Sequence, residues 1–266
     1  MDTTRVGIAG DWHGNTAWAL ACLADFNKES IKLILQLGDF GIWHDEDGTL
    51  FLDLLSKTLD ENDQYLLVTL GNHENYTMVE ALVTITEGDF EGWQHNPKQP
   101  RVLYATRGQR WEWQGVSFVS LGGAHSIDRF TRKENMNWWA GEQISYADVM
   151  RTANGGHADI FLAHDCPYGV NLFGTHRDET GPNKWTEQAL DYAVGSRHDL
   201  RAAVDSVRPE ILFHGHYHHY LDTVTEMADD YNGETYSLRT VGLDKDNETN
   251  NLGILELPSK QFTILR

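Results

Sequence analysis

The chain has 266 residues, 40% of them hydrophobic, enough for one large α/β domain spanning 1–266. Its 40 Asp plus Glu against 21 Lys plus Arg give a formal charge of −19, which repels a phosphate backbone and argues against general binding to duplex nucleic acid. Two cysteines, Cys22 and Cys166, make no disulfide framework; with no basic, apolar leader at "MDTTRVGIAG" and no apolar run long enough for a bilayer, the expectation is a cytoplasmic protein that does not engage membranes.

The first apolar run, Arg5-Val6-Gly7-Ile8-Ala9, ends in "GDWHGN" at 10–15. "NTAWALACLADFNKES" (15–30) is amphipathic and reads as a helix capped by Asn15. "IKLILQLGDF" (31–40) reads as a second strand and "TLFLDLLSKTLDEND" (49–63) as a second helix, with the acidic run 45–47 as a solvated face. "YLLVTLGNHE" (65–74) is a third strand. Residues 86–114, holding Trp93, Trp111 and Trp113, read as a long loop followed by a hairpin whose aromatics pack onto the body. "VSFVSLGGAH" (116–125), "DIFLAHDCP" (159–167) and "EILFHGHYH" (210–218) repeat the strand pattern. Helices are expected at "GEQISYADVMRTANGG" (141–156), which ends in a glycine pair, and "RHDLRAAVDSVRP" (197–209), which stops at a proline.

Such short, nearly continuous apolar runs are strands buried on both faces. Their alternation with helices implies a largely parallel sheet with right-handed crossovers. Beyond 218, "HYLDTVTEM", "TYSLRTVGL" and "LGILEL" follow one another without helices and read as a second, more antiparallel sheet packed on the first.

Ligands of open α/β sheets bind beyond the carboxyl ends of the strands. Five runs end there in Asp11 and His13, Asp39, Asn72 and His73, His164, and His216 and His218. Taken singly, each has an ordinary reading: a polar turn before a cap, a strand-ending Gly-Asp turn, a cap for a helix near Asn75. Taken together they are a donor set. A first-row divalent ion accepts imidazole and carboxylate oxygen side by side. Seven ligand side chains exceed the needs of one ion and suit two, with one carboxylate bridging. Two metals about 3.5–4 Å apart recur in attack on phosphorus, polarising phosphoryl oxygens and turning bound water into hydroxide. His73, beside Asn72, is then free to act as general acid.

Asp-x-His at 11–13, Gly-Asp at 38–39, Gly-Asn-His-Glu at 71–74, His164 and Gly-His-Tyr-His at 215–218 stand in the order found in the calcineurin-like metallophosphoesterases. The chain resembles that family over roughly residues 5–220. The resemblance implies an α/β four-layer αββα sandwich, two mixed β-sheets flanked by helices. It implies Asp11, His13 and His218 on one metal, Asn72, His164 and His216 on the other, Asp39 between them, and His73 touching substrate and protonating the leaving group. "LGGAHSIDRFTRKENMNWW" (121–139) and "HDCPYGV" (164–170) further resemble metallophosphoesterases of phages and actinobacteria. The protein phosphatases of the superfamily carry Gly-Asp-x-x-Asp-Arg-Gly at the second motif, with an Arg that grips phosphate; here the segment is "GDFGIWHDED" and has no Arg.

Other residues are weighed individually. Arg129 is the leading candidate to hold a substrate phosphate and Arg132 a weaker one, with ordinary salt bridges as the alternative. Asn72 is expected to touch substrate as well as metal. Glu74 and His214 are expected to orient or pack, Cys166 to be a buried thiol, and His44, His95, His157, His176 and His198 to lie in loops or on the surface. The role of His125 is open. The expected activity is hydrolysis of a small phosphodiester, such as a cyclic nucleotide, with two Mn²⁺ as the favoured cofactor and Fe, Zn or Ni as alternatives. A phosphomonoesterase, a protein phosphatase or a nuclease on the same centre is the competing reading, and a non-catalytic scaffold a remoter one.

Overall fold

The computed structural model describes residues 2–172, 185–229 and 233–265. The first half of the chain runs β1 (Arg5–Ala9), α1 (Thr16–Lys28), β2 (Leu33–Gln36), α2 (Glu46–Glu61), β3 (Tyr65–Val68), α3 (Tyr76–Glu80), β4 (Val83–Thr84), β5 (Gln94–His95), β6 (Val102–Tyr104), β7 (Gln109–Trp113) and β8 (Val116–Leu121). The second half runs α4 (Tyr146–Asn154), β9 (Ile160–Ala163), α5 (Glu187–Val207), β10 (Ile211–His214), β11 (Leu221–Ala228), β12 (Thr235–Gly242), β13 (Leu252–Glu256) and β14 (Gln261–Ile264).

These strands form two mixed sheets, ordered β14-β13-β1-β2-β3-β6-β5-β4 and β11-β12-β10-β9-β8-β7. Strand β1 pairs in parallel with β2 and antiparallel with β13; β10 lies parallel between β9 and β12. The expected split into one parallel sheet and one C-terminal antiparallel sheet is therefore corrected. Both sheets have parallel centres, and the last four strands are divided, β11 and β12 to one and β13 and β14 to the other. The apolar runs are alike on both faces, so nothing in them encodes which sheet a strand joins.

Three apolar layers make the sandwich. Between the sheets, Val6, Ile8, Leu33, Leu35 and Leu67 meet Phe118, Ile160, Leu162, Phe213 and Val241. The alternate residues face outward. Ile34, Leu66 and Val68 lie under Leu23 and Phe26 of α1 and Phe51 and Leu55 of α2. Val119, Phe161 and Leu212 lie under Val149 of α4 and Leu200 and Val204 of α5. This period-two division on strands buried on both faces is the αββα arrangement.

Helix starts follow their caps. Asn15 caps α1, its side chain accepting from the Trp18 N–H at 3.1 Å. Helix α4 starts at Tyr146 rather than near 141 because Ser145 and Asp148 form a reciprocal capping box. Helix α5 starts at Glu187 rather than near 197, capped by Thr186. In the hairpin β7–β8 the aromatics pack as expected, Trp111 lying 5.0 Å from Trp93 and stacking on Phe118 at 5.3 Å, but the stretch before it is not all loop: β5 and β6 extend the first sheet, β6 pairing in parallel with β3. His176 lies outside the described residues.

Candidate metal centre

The polar strand tips of both sheets converge. Asp11 and His13 follow β1, Asp39 follows β2, and Asn72 and His73 follow β3; across the gap, His164 follows β9, and His216 and His218 follow β10. Two groups of donor atoms result, each within 4.8 Å of one another: Asp11, His13, Asp39 and His218, and Asp39, His164 and His216. Asp39 belongs to both. Asn72 joins the second group, its Oδ1 lying 2.9 Å from His164 Nε2.

The backbone is bent to achieve this. His13, Asp39, His216 and His218 all hold left-handed conformations, with φ of 46°, 47°, 70° and 57°. Each costs a non-glycine residue about 1–2 kcal/mol, a strain that surrounding structure must hold. Two glycines allow the close approach. Gly38 has φ of 98°, and a Cβ there would meet the His164 ring at 2.4 Å. A Cβ on Gly215 would lie 2.0 Å from Asp11 Oδ1.

The chemistry of the donor set fits cations. His164 is fully buried, and its Nδ1 donates to the Leu37 carbonyl at 2.7 Å, so a neutral ring presents a lone pair on Nε2. That lone pair faces Asn72 Oδ1 at 2.9 Å and Asp39 Oδ1 at 3.2 Å, both acceptors. Acceptors crowd one another unless a positive charge sits among them. Asp39 Oδ2 is buried without a hydrogen-bond partner, 3.5 Å from His13 Nε2. Without metal, protons fill the role. Burial resists a charged imidazole, yet Asp39 and Asp11 hold His164 up at about 10 and, with Asp246, His13 at about 9. Burial pushes His216 down to about 4, leaving its ring neutral.

Supporting groups fix these loops. The buried Glu74 carboxylate accepts from the N–H groups of Phe40 at 2.8 Å, Gly41 at 3.2 Å and Ile42 at 3.3 Å, tying the loop after β2 to that after β3. Asp11 accepts the His216 N–H at 3.0 Å and lies 3.3 Å from His218 Nε2. Sequence reasoning missed Asp246, whose Oδ1 lies 3.0 Å from His13 Nδ1, and Ser126, which accepts from Asn72 Nδ2 at 2.9 Å. Asp246 stands between β12 and β13 with no motif around it, whereas Ser126 directly follows the β8 tip in "LGGAHS", a polar strand end like the others and the signal that could have found it.

His73 lies at the mouth. Its N–H donates to Asp39 Oδ1 at 2.9 Å, its carbonyl accepts from Trp43 Nε1 at 2.7 Å, and its Nε2 stands 4.0 Å from Asp39 Oδ2. Burial lowers its pKa, with Asp39 opposing and Arg132 assisting. His73 opens onto a cavity of about 430 Å³ lined also by His13, Trp43, His44, Arg132, Met136 and Trp139. Arg129 does not line it; its guanidinium sits 3.4 Å from the centre of the Trp138 ring. Arg132 does, braced by Asp128 at 2.6 Å and the Asn137 carbonyl at 2.9 Å. His125 Nδ1 donates to the Tyr192 carbonyl at 2.7 Å, and its ring stacks on that of Tyr192. His214 and Cys166 are fully buried.

Fold and donor geometry together define a metallophosphoesterase. The family model for the calcineurin-like phosphoesterases matches residues 4–220, and the chain belongs to that family of phosphoric ester hydrolases. No curated protein matches the chain by sequence. Among solved structures, the protein TT1561 of Thermus thermophilus is similar with a TM-score of 0.55 at 10% identity, covering 98% of each chain. The purple acid phosphatase PPD1 from yellow lupin (Lupinus luteus) seeds is similar with a TM-score of 0.48 at 14% identity, covering 98% of this chain and 52% of that one. No helix among the described residues is long and apolar enough to cross a membrane.

Proposed function

We propose that the protein is a binuclear metal-dependent phosphodiesterase acting on small substrates such as cyclic nucleotides. The observation that carries this reading is the sharing of Asp39 between two donor groups beside His73 and a cavity of about 430 Å³. One group would hold its ion through Asp11, His13 and His218, the other through Asn72, His164 and His216, with Asp39 between. Mixed imidazole and oxygen donors favour first-row divalent ions, and Mn²⁺ is the choice proposed. When bound, such ions polarise phosphoryl oxygens and lower the pKa of water.

The residues around the cavity divide the remaining work. Trp43 and Asp39 clamp the backbone of His73 at the mouth of the cavity, and its imidazole would protonate the leaving oxygen. Arg132 offers a guanidinium to non-bridging phosphoryl oxygens, the function the absent Arg of the second motif serves in the protein phosphatases. Trp43, Met136 and Trp139 give the cavity apolar lining for a flat ester group, such as an aryl ring or a base. A net charge of −19 disfavours polynucleotide substrates. Cys22 and Cys166, both buried and outside any disulfide, accord with a reducing cytoplasm.

The test is turnover of bis-p-nitrophenyl phosphate and p-nitrophenyl phosphate by metal-stripped protein reloaded with Mn²⁺. Preference for the diester, abolished in His73→Ala with metal content unchanged, is the expected result. Preference for the monoester would favour a phosphomonoesterase.

A further inference from the structure

Asn72 offers two chemically opposite atoms to its surroundings, and only Oδ1 can serve a cation. What holds the amide the right way round is a buried chain of hydrogen bonds leading away from the metal centre. Asn72 Nδ2 donates to Ser126 Oγ at 2.9 Å, and Ser126 Oγ donates to Glu142 Oε2 at 2.6 Å. Glu142 is fully buried, on the 3-10 turn Ala140–Glu142. Its other oxygen accepts from the Ser126 N–H at 2.9 Å and the Tyr192 hydroxyl at 3.1 Å. That hydroxyl accepts from Gln143 Nε2 at 2.9 Å, which commits its own proton to Glu142. Arg107 braces the turn through the carbonyls of Gly141 at 2.7 Å and Gln143 at 2.8 Å.

A carboxylate only accepts, so Ser126 must spend its single proton on Glu142 and is left to accept from Asn72. We infer that Glu142 is a positioning residue whose acceptor-only carboxylate sets the direction of the Asn72–Ser126–Glu142 chain, forcing Asn72 to present Oδ1 to the His164 side of the metal centre. An amide at 142 removes the constraint. Its nitrogen can donate to Ser126, Ser126 can donate to Asn72 Oδ1, and the Asn72 nitrogen then turns toward the cation.

The inference rests on the reading of Asn72 as a metal ligand, and its test reads metal binding rather than turnover. Mn²⁺ titration calorimetry on wild type and on Glu142→Gln would show one of two sites, the one that includes Asn72, loosened by about 10–100-fold, the range for lost orienting partners. The decisive arm adds Asn72→Asp, which makes both terminal atoms oxygen and orientation irrelevant. In that background Glu142→Gln should not weaken Mn²⁺ binding. Ser126→Ala cuts the chain at its centre and should follow the same pattern, which keeps the test open should Glu142→Gln fail to fold. Equal losses in both backgrounds would reduce Glu142 to a structural support, and no loss in either would overturn the inference. A wild type that binds fewer than two ions would instead overturn the binuclear reading itself.

Discussion

Asp246 and His13 stand 233 residues apart in sequence, yet Asp246 Oδ1 lies 3.0 Å from His13 Nδ1. The carboxylate is itself fixed by Asn15, whose Nδ2 donates to Oδ2 at 2.7 Å. A carboxylate on one imidazole nitrogen sets the tautomer and leaves the other free for a metal; here the other nitrogen faces Asp39. Asp246 lies beyond residues 4–220, the span shared with the family model. The C-terminal loop thus completes a site built by the family core. Asp246→Ala should weaken Mn²⁺ binding by about 10–100-fold while leaving the fold intact. Titration calorimetry with circular dichroism checks both, and unaltered affinity would remove Asp246 from the metal centre.

Glu74 carries a structural load of a different kind. Three consecutive N–H groups of the loop after β2 close on its buried carboxylate. Glu74→Ala would leave them buried and unsatisfied, at about 1–3 kcal/mol per group before relaxation. The expected loss of stability is roughly 2–4 kcal/mol, read from urea unfolding. A loss below about 1 kcal/mol would mean that water or a loop shift satisfies these groups.

Arg132 and Arg129 differ in what they face. Arg132 lines the cavity beside His73, whereas Arg129 lies over Trp138. Arg132→Ala should raise KM for a diester by about 10-fold or more, the scale of one charge-assisted hydrogen bond to phosphate. Arg129→Ala should leave KM near the wild-type value. Steady-state kinetics decide, and the reverse ranking would return Arg129 to the substrate.

Acid sensitivity has a local source far from the metal centre. Burial works against the Asp159 carboxylate, but donors from Ser117 at 2.8 and 2.5 Å and Lys260 at 3.3 Å pull it down to about 2. The unfolded value is about 3.9, so the folded state binds fewer protons in this window. The stabilisation is present above pH ~4 and is lost as pH falls toward ~2. The Tm difference between wild type and Asp159→Asn should therefore shrink across that range in thermal unfolding. A difference constant with pH would refute the assignment.

The strand tips were legible because Asp, Asn or His interrupts each of these apolar runs, next to a glycine at four of the five and directly after Ala163 at His164. The seven donor side chains thus come together as the sequence order implied. Sheet membership was not legible, since β2 and β9 are both buried along their whole length, on either face. Neither were Asp246 and Glu142, which reach the centre through long loops and act through His13 and Ser126. Arg129 and Arg132 lie three residues apart around the 3-10 turn Arg129–Thr131, and only the position of Trp138 shows which guanidinium is captured.

The central claim is a two-ion centre joined through Asp39. It is tested most directly by counting Mn²⁺ bound per chain after loading and dialysis, in wild type, His73→Ala and Asp39→Ala. Two ions are expected in the first two proteins and impaired binding of both in the third. One ion in the wild type, or two fully retained in Asp39→Ala, would contradict it.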